Sequence, residues 1–190
     1  MSPAATLVRG MLALAAILAL AGSLGAAEAP SEPPGYRLDD YRAPTPLTVA
    51  GRPAIDTAAA RRLWEAHEAT FIDVIAAVRR PDALPAGAIW SPLPHLDIPG
   101  SIWLPDSGRG ALSPELETWF RASLARITAA RDDAPLVFYC RVDCWMSWNA
   151  TKRALEWGYR AASWYRDGTD GWSEAALPLA EAQPPSDAPH

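Results

Sequence analysis

Apolar and polar positions along the chain switch between two periods. Leu136-Val137-Phe138-Tyr139 is a short, continuous apolar run and reads as a buried strand. Phe71–Ile75 and Ala162–Tyr165 read the same way, and Ile98–Leu104 reads as a turn leading into another strand. Between these runs the spacing becomes helical. Thr57–His67 places Ala60, Leu63, Trp64 and His67 on one side, with Asp56 or Thr57 as cap. Ser113–Ala130 has Ser113 as N-cap, Pro114 at the first helical position, and Glu115 and Glu117 in the first turn. Ser147–Trp157 is a third helix, ended by Gly158. Asp167–Trp172 reads as a tight turn. Strands that alternate with helices predict an α/β fold, a parallel central sheet with helices on both faces. Sites in such sheets form at the carboxyl ends of strands, so Asp73 and Cys140 would share one face.

The ends of the chain follow other rules. Arg9, the apolar run Met11–Ala21 and the small residues Gly25-Ala26-Ala27 make a secretory signal pattern over residues 1–27. The run is short for a bilayer span, which leaves an uncleaved anchor as the weaker alternative. Residues 28–50 are rich in Pro and read as a linker and extended arm. Residues 51–179 hold the domain, and residues 180–190 read as a disordered tail. Pro81, Pro85, Pro92 and Pro94 make the stretch after Arg79 mostly loop.

Cleavage after Ala27 leaves 163 of 190 residues, enough for one core, and takes the net charge from −5 to −6. That acidic balance argues against nucleic acid or an anionic membrane as partner, and no stable anchor would remain after cleavage. The expected localisation is periplasmic.

Both cysteines of the chain, Cys140 and Cys144, fall on the loop between the strand at Leu136–Tyr139 and the following helix. Amides and a helix dipole there favour a thiolate. An exported pair can also form a disulfide. A separation of four closes only a small loop, so reactivity is a better reason for the pair than stapling. Arg141 adds positive potential and Asp143 opposes it. Cys140 and Cys144 are the candidate catalytic residues; Arg141, Val142, Asp143, Trp145 and Asp73 are the candidate loop and substrate-binding residues. Asp73 would orient loop amides or a substrate, or else cap the next turn. Trp145 would shape or cover the site.

Several segments carry a family resemblance. Phe71-Ile72-Asp73-Val74, His95–Ile102, Val137–Cys140, Gly158-Tyr159 and Asp170-Gly171-Trp172 occur in the order of the landmarks of the rhodanese-like domain, over roughly residues 55–175. Ile98–Pro105, Asp143–Ala150 and Asp167–Trp172 further resemble the PQQ-dependent catabolism-associated CXXCW-motif proteins. These are exported rhodanese-like proteins that accompany quinoprotein alcohol dehydrogenases and their cytochromes. The resemblance implies a rhodanese-like fold and a nucleophilic Cys140 that accepts a sulfane sulfur as a persulfide. Cys144 would then resolve it or form a disulfide switch with Cys140. It implies a periplasmic quinoprotein dehydrogenase or cytochrome as partner.

Two departures qualify this. Three residues, not two, separate Cys140 from Cys144. Relative to sulfur-transferring rhodaneses, Arg141 is kept, Asp143 adds a charge, and Trp145 replaces the expected second Arg. Both changes weaken binding of a dianion such as thiosulfate.

Other readings remain open. The protein would act as a non-catalytic accessory module, with Trp90 or Trp145 lining a partner surface. As a weak metal alternative, Cys140 and Cys144 would bind Cu(I) with His95 as third ligand. No resident cofactor is expected: no PQQ motif and no Gly-rich phosphate loop is present. Most tryptophans, including Trp64, Trp119, Trp148 and Trp157, are expected to pack between helices and sheet.

Overall fold

The computed structural model describes residues 29–189, so the signal segment at 1–27 lies outside the described residues. In chain order the elements are β1 (Thr48–Val49), β2 (Arg52–Pro53), α1 (Thr57–Glu65), β3 (Thr70–Asp73), β4 (His95–Asp97), β5 (Ile102–Trp103), α2 (Pro114–Ile127), β6 (Leu136–Tyr139), α3 (Trp145–Glu156), β7 (Ala162–Tyr165), α4 (Gly168–Glu174) and β8 (Ala180–Ala182).

Four strands form a parallel sheet in the order β5-β3-β6-β7. Its inner strands are β3 and β6, and β6 is buried along its whole length, as a strand covered on both faces must be. The pleat sends alternate residues to opposite faces. Ile72, Leu136 and Phe138 pack with Phe120 and Leu124 of α2 and Ala150 and Ala154 of α3. Phe71, Val137 and Tyr139 pack with Ala60 of α1 and Trp172 of α4. Helices therefore cover both faces, as the alternation predicts. Asp56 caps α1 by accepting from the Ala59 amide at 2.7 Å, and Ser113 caps α2 by accepting from Leu116 at 3.2 Å. Among the described residues, no helix is long and apolar enough to cross a membrane.

Three stretches differ from the sequence reading. Asp167–Trp172, read as a tight turn, is mostly the helix α4, because Trp172 is fully buried against Trp64, Phe71 and Tyr165 and anchors it. The segment from Ala180, read as disordered, contributes β8, which pairs antiparallel with β4. The expected linker and extended arm is an arm that packs on the body: Val49 is buried with Trp145, Trp148 and Trp164. The Arg37 amide and carbonyl are both bonded by the fully buried Asn149 side chain, each at 2.9 Å. The Tyr36 ring lies 4.1 Å from the Arg153 guanidinium, and the Tyr36 hydroxyl bonds Glu156. Backbone pairing and anchors more than a hundred residues away leave no local pattern to read.

Candidate active site

Cys140 follows β6 and Cys144 precedes α3, and the two are joined as a disulfide with Cα atoms 6.2 Å apart. Both are buried, at 2% and 3% exposure, within the cluster that holds Ile72, Val74, Leu104 and Met146. The loop between them is fastened from two sides. On the α4 side, the Cys140 carbonyl accepts from the Thr169 amide at 3.0 Å and its hydroxyl at 3.3 Å. The Val142 amide donates to Asp170 Oδ2 at 3.1 Å. Gly168 permits this approach: its φ is +54°, and an added Cβ would collide with the Cys140 carbonyl. On the arm side, Arg42 Nη1 donates to the Val142 carbonyl at 2.7 Å, and Arg42 forms a backbone bridge with Cys144. The Trp145 amide donates to the Tyr41 carbonyl at 2.9 Å. Asp143 sits in the left-handed region at φ +52°, its carboxylate 3.7 Å from Arg166 Nη2.

Asp73 does not join the cysteines. Both stand at the carboxyl edge, but Asp73 falls on the pleat position of Phe71 and Tyr139, whereas Cys140 packs with Ile72 and Phe138. Asp73 Oδ1 accepts from the Ile75 amide, the turn-capping role, and its Oδ2 lies 2.8 Å from His95 Nε2. His95 stacks on Trp103 with centroids 4.0 Å apart. Tyr139 adds its hydroxyl to this second group, bonding Ser101 at 2.8 Å and accepting from the Ile98 amide at 3.0 Å. Burial raises the pKa of Asp73 despite the opposing contact with His95. Burial, with the Asp73 charge adding to it, pushes Asp97 up to about 6, and Asp97 Oδ2 has no hydrogen-bond partner. Burial and the same two carboxylates push Tyr139 well up.

His95 is thus engaged with Asp73, and the cysteines with each other. The Cu(I) set of Cys140, Cys144 and His95 is not assembled. Among the described residues, no group of three His, Cys, Asp or Glu side chains is arranged to hold a metal ion.

Arg141 is exposed and lines a cavity of about 260 Å³ with Ile75, His95, Thr169, Asp170 and Ser173. Trp145, expected to shape or cover the site, is the first residue of α3 and is buried. It turns inward against Trp148, ring centroids 5.3 Å apart. The residues that the sequence reading missed are those that hold the loop: Tyr41, Arg42, Gly168, Thr169 and Asp170. Of these, Gly168, Thr169 and Asp170 fall in the Asp167–Trp172 segment that carried the resemblance, whereas Tyr41 and Arg42 had no signal.

A rhodanese-like domain model matches residues 58–175. No curated protein matches the chain. Among solved structures, human single-domain sulfurtransferase is 25% identical, with 65% of this chain and 97% of that chain covered and a TM-score of 0.41. Thiosulfate sulfurtransferase from Pseudomonas aeruginosa is 23% identical, covering 70% of this chain and 21% of that one, with a TM-score of 0.47. The polysulfide-sulfur transferase of Wolinella succinogenes is 21% identical, covering 72% and 83%, with a TM-score of 0.42. Since the family model spans more than half of its length and the parallel sheet carries helices on both faces, this chain belongs to the rhodanese-like domain family.

Proposed function

We propose that this protein is exported and performs thiol–disulfide chemistry at Cys140 and Cys144 in support of periplasmic PQQ-dependent alcohol oxidation. The observation that carries the chemical part is the Cys140–Cys144 disulfide on the active-site loop of a rhodanese-like domain. The loop is also poorly suited to a thiosulfate dianion. Its Val142 amide is taken by the Asp170 carboxylate and its Trp145 amide by Tyr41, so these donors do not converge on an anion. Asp143 and Asp170 add negative charge, and Trp145 stands where a second guanidinium would bind. The signal-like N-terminus supports export, and the segments Ile98–Pro105 and Asp143–Ala150 support the link to a quinoprotein dehydrogenase or cytochrome.

Alkylation with intact-mass measurement on protein taken from its own compartment, before and after mild reductant, tests this. A reversible disulfide is expected, with thiosulfate:cyanide sulfur transfer at background. Two free thiols that stay unmodified would overturn the reading. The accessory-module alternative is favoured by Val78, Ile89 and Leu93, exposed apolar side chains on the stretch between β3 and β4. It predicts that Cys140→Ser and Cys144→Ser each keep full function.

A further inference from the structure

We propose that Cys144 is the leaving sulfur of this pair: when the disulfide opens, the electron pair goes to Cys144 Sγ and the incoming group stays on Cys140. This rests on the thiol–disulfide reading above and assigns the two sulfurs their parts.

The first-turn amides of any α-helix lack a carbonyl one turn earlier, and a side-chain acceptor at the N-cap meets that need. In this protein α1 and α2 have one: Asp56 accepts from Ala59, and Ser113 from Leu116. At α3 the N-cap is Cys144, with extended backbone (φ −120°, ψ 107°) and no side-chain cap bond. A disulfide sulfur is a poor acceptor, whereas a thiolate there would be the missing cap. The Trp145 amide is already taken by Tyr41, and the Ser147 hydroxyl donates to the Cys144 carbonyl at 3.1 Å. The position equivalent to Ala59 and Leu116 is Ser147, so its amide is the donor to which a Cys144 thiolate would turn. A helix of 12 residues also places its positive end at Cys144.

Both sulfurs share one apolar cluster, so burial does not separate them. The helix terminus does, because Cys140 ends a strand and its carbonyl, not its side chain, is what α4 holds. The charged groups are spread along the loop and do not separate the sulfurs: Arg141 adjoins Cys140, Arg42 from the arm bonds the Val142 carbonyl, Arg37 lies 5.5 Å from the Trp145 ring, and Arg166 follows β7. Of the carboxylates, Asp143 faces Arg166 and Asp170 is bonded to the Val142 amide.

The step balances as follows. A thiolate RS⁻ attacks Sγ of Cys140, a new S–S bond forms there, and the Cys140–Cys144 bond breaks. Its electron pair leaves on Cys144 as thiolate. A second thiolate then attacks the external sulfur of the mixed disulfide, RSSR departs, and Cys140 is released. Two thiols are oxidised and the protein pair is reduced. Exchange is faster through the sulfur that leaves as the weaker base.

The test uses the oxidised full chain, glutathione at neutral pH, an acid quench and peptide mapping. The expected adduct is glutathione on Cys140; a predominant adduct on Cys144 overturns the assignment. Cys140→Ser and Cys144→Ser, each shown to be folded by circular dichroism, give a second readout through the pH dependence of iodoacetamide alkylation. The free Cys144 midpoint is expected at least about one pH unit below that of free Cys140, roughly a tenfold gain in thiolate. Equal or reversed midpoints overturn the assignment. A disulfide that no thiol opens would instead sink the thiol–disulfide reading itself.

Discussion

Asp97 shows how one residue links burial to pH. It is 3% exposed, has an unbonded oxygen, and faces Asp73 and His95. The folded protein keeps its proton up to about 6, whereas the ordinary value is 3.8. Stability from this group is therefore full below the lower value and is lost as pH rises through the higher one, by about 3 kcal/mol at most. Asp73, also raised by burial, adds to the loss in the same direction. Asp97→Asn removes the charge without removing the volume. Urea unfolding at a series of pH values should show a smaller decline from pH 4 to 7 in the variant, and higher stability than the parent at pH 7.5. Parallel curves for the two proteins would contradict this account. Sequence supplied the residue types here but not the grouping. Asp73 and Cys140 stand at neighbouring strand ends, and only the pleat phase of the paired strands decides that their side chains part.

At the scale of elements, the loop depends on a helix and an arm that a local reading does not connect to it. Gly168 starts α4 at φ +54° with its Cα against the Cys140 carbonyl. Gly168→Ala should lower stability by roughly 2 kcal/mol or more, from the left-handed strain and the clash together. It should also broaden or shift the amide signals of residues 140–144. An unchanged spectrum would show that α4 does not hold the loop. Asn149 is the arm's clasp, since its side chain bonds both polar groups of Arg37 and also donates to the Gly108 carbonyl at 3.0 Å. Asn149→Ala leaves buried partners unsatisfied and should destabilise the protein by about 2–4 kcal/mol in chemical denaturation. It should also speed hydrogen exchange of the Trp145 amide, whose acceptor is on the arm. Elements with local signals were legible. Ser113-Pro114 marks the start of α2, and the all-apolar Leu136–Tyr139 marks the inner strand β6. The packing of the arm and the strand β8 were not, because their partners lie about a hundred residues away.

For the whole molecule, the disulfide is a minor brace beside two packed sheet faces. In the chain-entropy model, closing so small a loop stabilises by about 2 kcal/mol. Reduction should then lower Tm by about 4–8 °C and leave the fold intact. Collapse of the near-ultraviolet dichroism on reduction at 25 °C would show that the pair is a structural staple instead. The sequence by itself determined the α/β alternation, the helix cap at Ser113, a cap for α1 at Asp56 or Thr57, and the placing of both cysteines on one strand-to-helix loop with Arg141 and Asp143 between them. These are local properties: period, capping chemistry and residue order within a few positions. Tertiary structure alone decided that Asp170 and Tyr41 occupy the loop amides, that Asn149 binds the arm, and that His95 serves Asp73 rather than the sulfurs. Those contacts bring together residues distant in sequence, and their register depends on how the sheet and helices pack.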